Sequence, residues 1–201
     1  MTLATPFPNP FYFLRHGETD YNHAGRFQGQ TDSRLNETGL AQAATAAETL
    51  RDQPIAAIVA SPLSRARITA EKVADARGEE IATDPGLMEC HLGVHQGEPY
   101  QDWLPDYWTG DYAPEGGEDF WRFRARVIPA MRAIVAQGPN RLIVAHGGLW
   151  YAARSLFRME PDIDRMPNAM ALFVEPEGDL WRISLVGQDA RFGDGTGMQG
   201  L

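Results

Sequence analysis

Three short apolar runs set the strongest limit on how this chain can fold. Residues 11–15 read Phe-Tyr-Phe-Leu-Arg, residues 55–60 Ile-Ala-Ala-Ile-Val-Ala, and residues 141–145 Arg-Leu-Ile-Val-Ala. Each is nearly continuous rather than alternating, the pattern of a strand covered on both faces. Segments of helical spacing lie between and after them. Strands alternating with helices predict a three-layer α/β/α sandwich with a mostly parallel central sheet.

The helices are read from caps and period. Asn36 is placed to cap a helix running to about Arg51, with Leu40, Ala43, Ala44, Ala47 and Leu50 inward and Pro54 closing it. Ser61-Pro62 has the form of a cap followed by proline at the first helical position, opening a helix to about Arg77. From Glu118 to Gln137, Phe120, Phe123, Val127, Met131, Ile134 and Val135 share a face, with Pro129 a candidate kink. A further helix is expected from Gly147 to about Arg158. Ile81–Thr83 suits a short strand, and 169–174 with 180–186 a hairpin around Glu177-Gly178. Residues 17–35 read as a loop. Residues 85–119 read as an irregular excursion with room for one short helix, and 187–201 as a loose tail. The length suits a single domain over 1–201.

Charge narrows the function. At a formal −9 the chain is a poor general binder of nucleic acid. It also repels anions at long range, so any phosphate site must be a local basic pocket. No apolar run approaches the roughly 20 residues of a bilayer span, so no membrane partner is expected. Met1 to Pro10 lacks the basic and apolar blocks of a secretory leader. Cys90 is the only cysteine, which excludes an internal disulfide and fits a reducing, cytoplasmic setting. Oligomeric state is open, and a homodimer is compatible with the sequence.

Ligands of parallel sheets bind at the carboxyl ends of strands. That rule brings together Arg15-His16-Gly17, Ser61 to Arg65, and His146-Gly147-Gly148. A phosphoryl group in transfer spreads charge over three oxygens and needs cations and N–H donors around it and a nucleophile in line. Arg15 and Arg65 supply forked donors. A histidine between arginines is held neutral, hence nucleophilic, provided an acceptor fixes its second ring nitrogen. The leaving oxygen then needs a proton. Glu89 is the candidate donor, with Glu18, Glu115 and Glu118 as alternatives. Cys90, His91 and His95 match no familiar zinc spacing, so neither metal nor cofactor is expected. Trp103, Tyr107 and Trp108 share a helical spacing that suits either core packing or a substrate wall.

These blocks carry a resemblance. Leu14-Arg15-His16-Gly17-Glu18-Thr19-Asp20-Tyr21-Asn22, then Gly25-Arg26-Phe27-Gln28-Gly29, Leu35 to Ala43, Ala60-Ser61-Pro62-Leu63-Ser64-Arg65-Ala66 and Val144-Ala145-His146-Gly147-Gly148 stand in order over roughly residues 10–175. The chain resembles the histidine phosphatase superfamily, which includes cofactor-dependent phosphoglycerate mutases and small phosphatases. The resemblance implies the same sandwich fold and His16 as a phosphorylated nucleophile. It implies Arg15, Arg65 and His146 around the phosphoryl group, Asn22 as a further donor, and Glu89 as acid and later base. Arg26 and Gly147 are expected at the substrate. The mutase branch resembles Leu-x-Glu-Arg-x-Tyr-Gly around the acid, whereas here Cys90 and Leu92 replace the arginine and tyrosine. That departure favours a metal-independent phosphatase acting on a small phosphorylated metabolite over mutase-type transfer. A catalytically silent phosphate-binding member is the alternative of another class.

Overall fold

A computed structural model describes residues 6–160, 162–163 and 165–187. The loose tail expected at 187–201 therefore falls, from residue 188 on, outside the described residues. The strands are β1 (Phe11–Arg15), β2 (Ala57–Ala60), β3 (Ile81–Thr83), β4 (Arg141–Ala145), β5 (Met159–Glu160), β6 (Ala171–Glu177) and β7 (Leu180–Leu185). The helices are α1 (Asp20–His23), α2 (Glu37–Leu50), α3 (Ser64–Arg77), α4 (Leu104–Thr109), α5 (Phe120–Ala136) and α6 (Gly147–Arg154). The sheet runs β3-β2-β4-β1-β6-β7-β5. Its β3-β2-β4-β1 half is parallel, while β6 lies antiparallel to both β1 and β7.

The central strands bury both faces, as their continuous apolar composition requires. Phe11 and Phe13 of β1 share one core cluster with Phe123, Val127 and Met131 of α5 and Trp150 of α6, whose ring centroid lies 5.5 Å from that of Phe13. Tyr12 and Leu14 belong to the opposite cluster, with Ala46, Ala47 and Leu50 of α2 and Ala70, Val73 and Ala74 of α3. Successive side chains of one strand thus serve two helical layers, and the three-layer sandwich is the result.

Several local expectations need correction. The face of α2 is turned: Ala46 is buried while Leu40 is 41% exposed and Ala44 also faces out. The cause is Gly39, which packs so closely on the Glu18 backbone that a Cβ there would overlap it. Asn36 does cap this helix, accepting the Gly39 N–H at 2.8 Å. Helix α3 begins at Ser64, not at Ser61-Pro62; Asp32 reaches across from its loop to accept both the Ser64 N–H (2.7 Å) and hydroxyl (2.9 Å). The loop expected at 17–35 contains the single turn α1, closed by a Thr19–Asn22 capping box. Helix α5 runs unbroken through Pro129. Helix α6 stops at Arg154, and the chain after it supplies the edge strand β5, paired with β7.

The link from α2 to β2 is tied by Arg77 of α3. Its guanidinium donates to the carbonyls of Leu50 (2.8 Å), Arg51 (2.6 Å), Gln53 (3.0 Å) and Ile55 (3.1 Å) and pairs with Glu79. Carbonyls orphaned at the end of one helix are thereby satisfied from the next.

Candidate active site

The sheet register assembles the site. Arg15 pairs with Ala145 across β1 and β4, and Ala60 pairs with Val144 across β2 and β4. The residues that follow, His16, Ser61 and His146, therefore emerge side by side, with the His16 and His146 ring centroids 5.1 Å apart. Both rings are essentially buried, at 2% and 0% exposure. A cavity of about 290 Å³ opens above them, lined by Arg15, His16, Asn22, Arg26, Arg65, Glu89, Gly147 and Gly148 among others.

The electrostatics hold both histidines neutral. Burial first, then the charges of Arg65 and Arg15, push His16 well below the usual imidazole range. Burial, Arg65, His16 and Arg15 do the same to His146. His16 Nδ1 lies 2.7 Å from the Gly17 carbonyl oxygen. A carbonyl only accepts, so Nδ1 carries the proton and Nε2 carries the lone pair on the cavity side.

The two arginines are anchored by backbone carbonyls. Arg65, 1% exposed, donates to Gly29 O at 2.7 Å and Thr31 O at 2.9 Å, and Arg15 donates to Met166 O. Burial pushes the Arg65 guanidinium down to about 10 and lowers Arg15 as well, which leaves both charged at neutral pH. Arg15 Nε, Arg65 Nε and His146 Nδ1 are buried without a partner in the protein. Buried N–H groups are almost always paired, so the orphaned guanidinium N–H groups of Arg15 and Arg65, both lining residues, mark a place for an anion with several acceptor oxygens, while His146, whose Nδ1 is also unpartnered, stands beside His16 without being a lining residue itself.

Glu89 is the only carboxylate among the lining residues. Its oxygens accept the N–H groups of Cys90 (2.9 Å) and Gly148 (3.1 Å). Its own carbonyl is held by Arg126 at 3.1 Å and Gln30 at 3.0 Å. Of the alternatives, Glu118 is committed to Arg126 at 2.8 Å and Glu18 accepts from Asn36 at 2.9 Å; neither lines the cavity, nor does Glu115. Asn22 Oδ1 faces Thr19 N–H, the Thr19 hydroxyl and Asn168 Nδ2 at 3.1–3.3 Å, and the Asn22 side chain also hydrogen-bonds Tyr100 at the cavity wall. Arg26 lies exposed at the rim, one N–H on Gly97 O at 2.8 Å. His95 Nε2 meets the Tyr112 hydroxyl at 2.5 Å, and among the described residues no group of three or more His, Cys, Asp and Glu side chains is placed to hold a metal ion.

Some site residues escaped the sequence reading. Thr69 of α3 accepts the Gly17 N–H at 3.1 Å and donates to Arg65 O at 2.7 Å, locking the His16 loop to the arginine. Asn168 donates to His16 O at 3.1 Å. Gln28, Tyr100, Tyr151 and Arg165 line the cavity. The Trp103, Tyr107, Trp108 set divides: Tyr107 is core, while Trp108 is wall and stacks on Tyr151 at 4.5 Å.

A three-layer α/β sandwich with a neutral histidine beneath carbonyl-anchored arginines at its strand ends defines a phosphoryl-transfer class of enzyme. The sequence matches the histidine phosphatase superfamily (branch 1) over residues 11–189, and the chain belongs to that family. It is 39% identical over 154 residues to the glucosyl-3-phosphoglycerate phosphatase of Mycobacterium tuberculosis, covering 68% of this chain and 69% of that one. It is 37% identical over 148 residues to a probable phosphoglycerate mutase of Yersinia pestis, covering 68% of each. Among solved structures, a mycobacterial glucosyl-3-phosphoglycerate phosphatase with VO3 superposes with a TM-score of 0.75 at 32% identity, over 89% of this chain and 98% of that one. A phosphoglycerate mutase from Thermus thermophilus superposes at 0.72 with 28% identity, over 90% and 99%. No helix among the described residues is long and apolar enough to cross a membrane.

Proposed function

We propose that the protein is a phosphomonoesterase that hydrolyses a small phosphorylated metabolite through a phosphohistidine on His16. The observation that carries the reading is the Nδ1–Gly17 bond, which leaves Nε2 of a neutral, buried imidazole as a nucleophile beneath the arginines. In the first half-reaction Nε2 bonds to phosphorus as the ester P–O bond breaks, and the leaving oxygen takes a proton from Glu89. The ring gains positive charge, which the Gly17 carbonyl stabilises. Arg15, Arg65, His146 and Asn22 donate to the phosphoryl oxygens, and the N-terminus of α6 at Gly147 adds positive potential. In the second half, Glu89 takes a proton from water as the water oxygen attacks phosphorus. The N–P bond breaks, and orthophosphate and neutral His16 result. Arg26 meets the leaving group at the rim.

Hydrolysis is favoured over mutase transfer by what surrounds Glu89. Cys90 and Leu92 both line the cavity, and both are 4% exposed. Burial, then the Glu89 charge, hold the Cys90 thiol protonated. Cys90 and Leu92 add no cation to retain a phosphorylated acid beside Glu89, where the lining cations outside the cradle are Arg26 and Arg165, and this favours attack on the phosphohistidine by water. The test is release of inorganic phosphate from p-nitrophenyl phosphate without added metal. Turnover abolished by His16→Ala is the expected result. Failure to hydrolyse any member of a phosphate ester panel sinks the proposal, and isomer exchange between phosphorylated acids would indicate a mutase instead.

A further inference from the structure

One ring nitrogen of His146 is already engaged within the protein. Nδ1 is buried with no protein partner, while Nε2 lies 2.8 Å from Ser61 Oγ. The ring is held neutral, so only one of the two nitrogens carries a proton. With the proton on Nδ1, His146 donates to a phosphoryl oxygen. With the proton on Nε2, it presents a lone pair to that oxygen and repels it. The tautomer therefore decides whether His146 contributes at all.

The surroundings of Ser61 settle which way the bond runs. Ser61 follows β2, and its backbone N–H donates to Val144 O at 3.0 Å, so the sheet itself fixes its place beside His146. The hydroxyl is fully buried. It accepts the Leu63 N–H at 3.3 Å, which uses lone-pair capacity. Among the described residues its own proton has no acceptor other than His146 Nε2. Nor is Ser61 occupied as a helix cap, since α3 starts at Ser64 and Asp32 satisfies that end.

We infer that Ser61 is a positioning residue whose hydroxyl donates to His146 Nε2 and so fixes the Nδ1–H tautomer that grips the phosphoryl group. The inference rests on reading this site as a phosphoryl cradle, yet the tautomer is measurable without turnover. Thr69 performs a comparable service on the other side of the site, so each chemically active loop is referred to a buried hydroxyl.

The test uses the full chain labelled with 15N-histidine. Long-range 1H–15N spectra, with the His146 signals identified by their loss in His146→Gln, report which ring nitrogen is protonated. The wild type is expected to show Nδ1–H and a bare Nε2; a wild-type Nε2–H overturns the inference by itself, whatever the variants do. In Ser61→Ala the tautomer population shifts toward Nε2–H, and the inhibition constant for inorganic phosphate rises roughly ten- to hundredfold, the scale of one hydrogen bond to a charged group. Ser61→Thr keeps the hydroxyl and restores both signals toward wild type. A Ser61→Ala protein that keeps Nδ1–H and wild-type phosphate inhibition also overturns the inference. A merely structural serine would lower the melting temperature and leave the tautomer alone. If no phosphate ester is hydrolysed but the tautomer shifts as stated, the functional reading fails while the role of Ser61 stands.

Discussion

Adding one methyl group at Gly148 tests the assignment of Glu89 with little disturbance to the fold. Gly148 lies in the first turn of α6, where alanine is conformationally acceptable and has the higher helix propensity. A Cβ there would overlap Glu89 Oε1 and lie 3.0 Å from Cδ and 3.3 Å from Oε2. Contacts of this kind settle at about 3.5 Å, so the Cδ contact asks for a retreat of about 0.5–1 Å and the overlapping Oε1 for about 1 Å or more. A catalytic group misplaced by about 1 Å loses on the order of a hundredfold in rate, or about 2.7 kcal/mol in barrier. The loss must also depend on the leaving group. Nitrophenolate departs with little need of a proton, whereas an alkoxide needs one. In Gly148→Ala, kcat/KM for an alkyl phosphate such as glycerol 3-phosphate is therefore expected to fall about a hundredfold, and that for p-nitrophenyl phosphate about tenfold or less. The melting temperature should not drop. Equal losses on the two esters, or no loss on either, would refute the reasoning that Glu89 protonates the leaving oxygen.

Three further outcomes follow from the same structure. His16 and His146 stay neutral in the folded chain below the unfolded imidazole value of about 6.5, so the unfolded state binds more protons there and stability falls with pH below about 6.5; the slope is about 1.4 kcal/mol per pH unit for each histidine, read by urea unfolding between about pH 7 and 5 and reduced in His16→Asn. Arg65→Lys loses the fork that joins Gly29 O, Thr31 O and the cavity, so inorganic phosphate should bind roughly ten- to hundredfold more weakly and raise the melting temperature far less than in wild type, by thermal shift. Arg77→Met strands the Leu50, Gln53 and Ile55 carbonyls at a buried link and should cost about 2–4 kcal/mol by urea denaturation while leaving KM unchanged.

How far the sequence could be read depended on chain direction. Strands β1, β2 and β4 announce themselves by continuous apolar runs, and the rule that ligands gather after parallel strands then finds Arg15, His16, Arg65 and His146. Met166 and Asn168 precede a strand, β6, that runs antiparallel to β1. They reach the same edge from the opposite direction, so a search of residues following strands passes over them. Ser61 was misread because Ser-Pro is also a helix-opening signal; only the sheet register shows that its hydroxyl faces His146 instead. The inward face of α2 was misjudged because a glycine contact, which leaves no apolar mark in sequence, sets its rotation. Glu89 is nominated in the sequence by its place just past the short strand at 81–83, among apolar neighbours. Its isolation from the other carboxylates is a tertiary fact, produced by Arg126 and Asn36 engaging Glu118 and Glu18 elsewhere.

Arg15 and Arg65 answer to carbonyl oxygens rather than to carboxylates, and this has a consequence for how the protein behaves once substrate is consumed. Among the described residues no carboxylate is hydrogen-bonded to either guanidinium, and Glu89 acts on them through its charge alone. Orthophosphate carries the same oxygens and comparable charge as the group being transferred, so the cradle cannot tell a spent molecule from a fresh one by its head alone. The fraction of sites left empty for substrate then depends on the surrounding concentration of free phosphate. Turnover is therefore expected to slow in a phosphate-replete setting and to quicken when that ion is scarce.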